Sequence, residues 1–112
     1  MMRKVLDEFA DIIKTIEFFS TTEKCNFQFL KMRLRLIDGS SLRIWEKRSN
    51  SSLQRYSYYW LDALDNQIMG WDNAPHHPDI ETFPDHKHID GKCLPSKDKL
   101  IDVFKYIAVR LR

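Results

Sequence analysis

Four histidines, His76, His77, His86 and His88, lie between Asp72 and Pro95, the stretch that also holds all four prolines. The acids Asp79, Glu81 and Asp85 fall between the two histidine pairs. An imidazole has a reference pKa of about 6.5, so it can take up or release a proton near neutrality. Three chemistries use such a set. In metal binding, imidazole and carboxylate are the ligands, and the alternation His86-Lys87-His88 puts both rings on one side of an extended segment. No zinc spacing such as HExxH is present, so no metal ligand and no cofactor is assigned. In metal-independent RNA cleavage, a base removes the 2′-OH proton, an acid protonates the leaving oxygen and a cation steadies the phosphorane. His76, His77, His86 and His88 are the acid and base candidates there, and Asp72 would orient a histidine and fix its tautomer. The third use is structural: histidine and proline cap turns, and Asp72-Asn73 nucleates a loop through side-chain bonds to its own backbone.

The cations such chemistry needs are concentrated elsewhere. The chain has 18 Lys plus Arg against 16 Asp plus Glu, a formal charge of only +2. That total excludes a strongly basic nucleic-acid binder but conceals a dipolar chain. Residues 31–48 carry six cations and two anions, whereas residues 62–90 carry seven anions and one cation, Lys87. Lys31, Arg33, Arg35, Arg43 and Lys87 are therefore the candidate phosphate contacts, with Trp45 and the tyrosines as stacking groups. The alternative is a solvated strand face whose cations pair with the chain's own acids.

The elements that must position these groups follow from periodicity. In residues 2–19, Val5, Leu6, Phe9, Ile12, Ile13 and Ile16 recur at three- and four-residue spacing, which predicts an amphipathic helix. Residues 26–37 alternate apolar and charged, and so do residues 42–47, which predicts strands. A three-residue loop at 38–40 pairs Leu36 with Leu42, Leu34 with Ile44, Arg35 with Arg43 and Lys31 with Lys47. Residues 49–52 are a turn, residues 55–61 a third strand and residues 67–71 a fourth. A turn at 65–66 sets Trp60 against Trp71 and Tyr59 against Asp72. Tyr56, Tyr58 and Trp60 share a face and read as core rather than as a stacking platform. The segment from Asp72 to Pro95 has no period and reads as a long functional loop. Ser96 would then cap a last helix striped by Leu100, Ile101, Phe104, Ile107, Ala108 and Leu111.

The expected architecture is thus a single α+β domain over residues 1–112. It comprises an N-terminal helix, a four-stranded antiparallel meander, a long His/Pro-rich loop and a C-terminal helix, with both helices packed on one sheet face. No apolar run is long enough for a transmembrane helix, and the N-terminal residues lack the apolar centre of a signal peptide. Cys25 and Cys93 form no CxxC pair and read as reduced thiols of a cytoplasmic protein.

Three runs of residues together carry a family resemblance: Tyr56-Ser57-Tyr58-Tyr59-Trp60, Trp71-Asp72-Asn73-Ala74-Pro75-His76-His77-Pro78 and Phe83-Pro84-Asp85-His86-Lys87-His88. The chain resembles the TumE-type toxins of prokaryotic toxin–antitoxin modules over roughly residues 25–110. The resemblance implies a short cytosolic toxin beside a DNA-binding antitoxin of helix-turn-helix type. It marks Trp71, Asp72, Asn73, His76, His77, His86, Lys87 and His88 without giving them roles. The reading that joins this to the residue chemistry is a toxin acting on RNA by metal-independent cleavage. Its alternatives are a non-catalytic module that binds nucleic acid or protein, and a small metal-binding domain. A homodimer is compatible with either, and no membrane partner is expected.

Overall fold

The computed structural model describes residues 2–112. Two α-helices flank seven strands: α1 (Met2–Glu8), β1 (Ile13–Lys24), β2 (Phe27–Leu36), β3 (Ser41–Ser49), β4 (Ser52–Leu61), β5 (Gln67–Asp72), β6 (His86–Ile89), β7 (Lys92–Pro95) and α2 (Leu100–Leu111). A 3-10 turn at Ala10–Ile12 joins α1 to β1. The strands form one antiparallel sheet in chain order, β1 to β7. The sheet therefore has seven strands where four were expected. The three extra strands occupy the supposed second half of the first helix and the supposed irregular loop.

Turn chemistry explains most of the hairpins. Cys25-Asn26 (φ 53° and 67°), Asn50-Ser51 (φ 50° and 69°) and Asp90-Gly91 (φ 52° and 74°) each put two successive residues in the left-handed region. Two-residue turns of that kind match the twist of the strands they join. The β2–β3 connection is a three-residue loop at 37–39, closed by Leu36 N–H donating to the Ser40 carbonyl at 2.8 Å. Gly39 supplies the positive φ of 88° that this loop needs.

The loop lies one residue earlier than 38–40, so the register moves by two residues and every face is preserved. Leu34 faces Leu42, Met32 faces Ile44, Arg33 faces Arg43 and Lys31 faces Trp45. Arg35 and Arg43, expected to be opposite, are not, and neither are Lys31 and Lys47. The β4–β5 pairing shifts in the same way: Tyr58 faces Trp71, Trp60 faces Met69 and Ser57 faces Asp72.

The first helix ends at Glu8 rather than near residue 19. Residues 13–24 pair with β2 instead, in a segment rich in isoleucine, phenylalanine and threonine, which favour strands. Its helix-like spacing has a specific cause. The register shifts between Ile13 and Thr15 and again between Ile16 and Phe18. Each shift adds a residue to β1, so Ile13, Ile16 and Phe19 fall opposite Leu36, Leu34 and Met32 on one face. The C-terminal helix begins at Leu100, not at Ser96. Lys99 is its N-cap, and the Lys99 N–H donates to Asp102 Oδ2 at 2.8 Å. Ser96 instead closes a local turn, its Oγ accepting from Asp98 N–H at 3.2 Å.

The even-numbered residues of β2 and β3 and those of β4 from Tyr56 onward, with Met69 and Trp71 of β5, lie on the face toward α2. Met32, Leu34, Leu36, Leu42, Ile44, Tyr56, Tyr58 and Trp60 are buried there with Val103, Phe104, Ile107 and Ala108 of α2. The ring of Phe9, just after α1, stacks on Phe104 with centroids 5.2 Å apart. The aromatic trio of β4 is core, and its polar tips are satisfied: Tyr58 donates to Glu46 and Trp60 Nε1 donates to Ser40 Oγ at 3.0 Å. Trp71 Nε1 donates to Asp98 Oδ2 at 3.1 Å. Among the described residues, no helix is long and apolar enough to cross a membrane.

Candidate functional site

The opposite face of the sheet carries the chemistry. Residues paired across antiparallel strands share a face, so the registers can be followed strand by strand. One row reads Lys31, Trp45, Ser57, Asp72, His86 and Pro95. The adjacent row reads Arg33, Arg43, Tyr59, Gly70, His88 and Cys93. The basic strands and the histidine segment, far apart in the chain, thus lie on one continuous surface.

At one end of this surface Asp72 is the hub. His86 Nε2 lies 2.5 Å from Asp72 Oδ1, and His88 Nε2 lies 3.7 Å from Oδ2. Tyr59 donates its hydroxyl to Oδ2 at 3.2 Å. His86 Nδ1 lies 2.8 Å from the Pro84 carbonyl, so both of its ring nitrogens face acceptors. His86 and Asp72 are buried, whereas His77 and His88 are half-buried. The loop between β5 and β6 brings the His77 ring to 5.2 Å from that of His86 and 5.9 Å from that of His88. The rings of His86 and His88 are 4.7 Å apart.

Two electrostatic features follow. Burial pushes the His88 imidazole below its ordinary value, opposed by the Asp72 charge, while neighbouring His86 and His77 lower it further. Burial and then the Asp72 charge push the Tyr59 hydroxyl upward, which keeps it a donor to the carboxylate. Gly70 makes that bond geometrically feasible. A Cβ at residue 70 would lie 2.7 Å from two ring carbons of Tyr59, so the ring can cross Gly70 only because no side chain is there.

The other end of the surface is a groove of about 320 Å³ lined by Lys31, Arg33, Arg43, Trp45, Ser57 and Tyr59, among others. Tyr59 belongs to both ends. The cations differ in how far they are already engaged. Arg35 is committed to Glu17, at 3.0 and 3.1 Å, and to the Gly39 carbonyl at 2.9 Å. Arg43 reaches Asp65 at 3.6 Å, but its Nε is buried with no hydrogen-bond partner. Lys31 and Arg33 are exposed, and no ion pair holds either among the described residues.

Of the residues expected from the sequence, Asp72, His77, His86 and His88 come together, and Lys31, Arg33 and Arg43 line the neighbouring groove. His76 is exposed in the loop, outside the cluster of rings. Lys87 pairs across from Trp71 and Leu94, on the helix-covered side, because it alternates with the two histidines that flank it. Gly70 and Cys93 were not anticipated, nor was the bond from the Tyr59 hydroxyl to Asp72. The signal for Cys93 was Asp90-Gly91, a two-residue hairpin turn that sets Cys93 opposite His88.

The family model described as Toxin TumE matches residues 2–111. The chain therefore belongs to the TumE toxin family, whose members are toxin components of toxin–antitoxin modules, so an antitoxin partner is implied. No curated protein and no solved structure matches the chain.

Proposed function

We propose that this toxin acts on RNA, in the cytoplasm and as one domain, by cleaving phosphodiester bonds without a metal ion. The observation that carries the reading is the pair of cross-sheet rows, which join a basic, aromatic groove to a carboxylate–histidine cluster on one face. Lys31, Arg33 and the unsatisfied Nε of Arg43 would take phosphate oxygens, and Trp45 and Tyr59 offer ring faces for stacked bases. His88, backed by Asp72, is the base that removes the 2′-OH proton. The 2′ oxygen attacks phosphorus, the bond to the 5′ oxygen breaks and His77 gives that oxygen a proton, leaving a 2′,3′-cyclic phosphate. His86, held between Asp72 and the Pro84 carbonyl, is a positioning residue. The partner that would silence it is, by family resemblance, an antitoxin of helix-turn-helix type.

The test is incubation of purified protein with total RNA in chelator, followed by analysis of the new ends. Cyclic-phosphate ends are expected, with losses of about 100-fold or more for His88→Ala and His77→Ala. RNA left intact at protein stoichiometric with RNA would overturn the reading. Growth inhibition that survives His88→Ala with the fold intact would instead make the chain a binding module.

A further inference from the structure

The cluster contains a set of donor atoms that its sequence spacing conceals. His77, His86, His88 and Cys93 each present one donor atom, and all four atoms lie within 4.8 Å of one another. His88 and Cys93 are directly opposite on β6 and β7, His86 lies two residues along the same face and His77 comes in from the β5–β6 loop. In tetrahedral zinc sites, metal–nitrogen bonds of about 2.0–2.1 Å and metal–sulfur bonds of about 2.3 Å put the donor atoms roughly 3.3–3.7 Å apart. Closing the set requires shifts of about an ångström, which side-chain rotation supplies. One side of His86 is already oriented for this role. A ligating histidine usually donates its other ring N–H to a backbone carbonyl or carboxylate, and His86 Nδ1 faces the Pro84 carbonyl. Asp72 Oδ1, 2.5 Å from His86 Nε2, would yield that nitrogen to the metal and stay beside the site, where its other oxygen accepts from the Tyr59 hydroxyl.

We propose that His77, His86, His88 and Cys93 bind one zinc-class divalent cation, and that the bound metal switches the toxin off. Three imidazoles and a thiolate suit a borderline ion rather than magnesium or calcium. Four protein ligands close the coordination sphere and leave no position for a water or a phosphate oxygen, unlike a catalytic site. The lone pairs of His77 and His88 would then be tied up in metal bonds and unable to move protons. This second half rests on the RNA-cleaving reading above; the site itself does not.

Cobalt(II) titration of the full chain, followed by absorption, tests the site independently of any activity. One equivalent should give tetrahedral d–d bands and a near-ultraviolet thiolate-to-cobalt band. Cys93→Ser, with Cys93→Ala as a second variant, should abolish the thiolate band, and Cys25→Ser at the exposed β1–β2 turn should leave it. A spectrum without that band, or one unchanged in both Cys93 variants, overturns the site. RNA cleavage then tests the switch. Wild type should cleave in chelator and lose about tenfold or more with one equivalent of zinc, while Cys93→Ser cleaves equally in chelator and needs about tenfold more zinc for the same loss. Zinc-loaded wild type cleaving as fast as chelated protein overturns the switch. If neither form cleaves RNA, the RNA-cleaving reading and the switch both fall, while the cobalt band still decides the site.

Discussion

The two faces of the sheet are written by alternate residues of the same strands, yet they carry opposite kinds of order. On the helix-covered face, Leu34, Leu36, Leu42, Ile107 and Phe104 are wholly buried, and aromatic N–H and O–H groups find partners inside the protein. On the open face, Arg33 stands directly opposite Arg43, a like-charge pairing that costs stability. Asp65 offsets part of that cost at Arg43, whose Nε remains without an acceptor. The covered face has relieved its conflicts and the open face has kept some. That division assigns stability to one set of alternate residues and chemistry to the other. It holds only while the registers hold, because a one-residue slip would exchange the two sets.

The largest expected effect breaks the covered face. Phe104 is fully buried and stacked on Phe9, so Phe104→Ala should cost about 3–5 kcal/mol in urea unfolding and abolish growth inhibition through loss of the folded state. An open-face substitution such as His88→Ala should leave the unfolding midpoint nearly unchanged while removing activity. If both lower the midpoint equally, the division of labour between faces is wrong.

A smaller effect sharpens the link between the two ends of the open face. In Gly70→Ala the new methyl meets the Tyr59 ring, which must move off Asp72. The expected result is a loss of about 1–3 kcal/mol from overpacking. With it should come a fall of roughly tenfold or more in RNA cleavage, from misplacement of the Asp72 hub. Gly70→Ala, Tyr59→Phe and the double variant, assayed together, check this: if the Tyr59 contact carries the loss, the double variant is no worse than Gly70→Ala.

The smallest effects separate the cations. Lys31→Ala and Arg33→Ala should each weaken RNA binding and reduce the slope of log affinity against log salt by about 0.7, the single-strand value per phosphate contact. Arg35→Ala should leave that slope unchanged, because Glu17 and the Gly39 carbonyl already hold its guanidinium. Filter binding at several salt concentrations measures all three.

Much of this was legible wherever one signal dominated. Alternation in residues 26–37 and 42–47 placed the strands and their faces, and the odd loop kept leucines inward despite a two-residue error in register. Composition singled out the acidic and histidine-rich segment, and within it Asp72, His77, His86 and His88 lie together. The failures came where two signals competed. In β1 the two register shifts turned a two-residue period into a three-residue one, which mimics a helix. In the segment after Asp72, prolines and histidines masked the short hairpin that Asp90-Gly91 encodes, so two strands were read as loop. Lys87 was grouped with its neighbours for its charge, although strand alternation sends it to the other face. Cys93 was judged by its distance from Cys25 along the chain, which carries no information about what lies across a hairpin.

The strand order has one more consequence, and it concerns time. Each strand pairs with its immediate chain neighbours, so the sheet can form from local hairpins as the chain lengthens. Its apolar cover cannot, because Val103, Phe104 and Ile107 follow the last strand in the chain, and Phe104 must return to stack on Phe9. In a growing chain the strands that carry the histidine face are therefore made before the helix that buries the opposite one. A sheet formed before residues 100–111 docked would expose a broad apolar face prone to association. A partner that bound this uncovered face during synthesis would meet the toxin before it had reached its final stability.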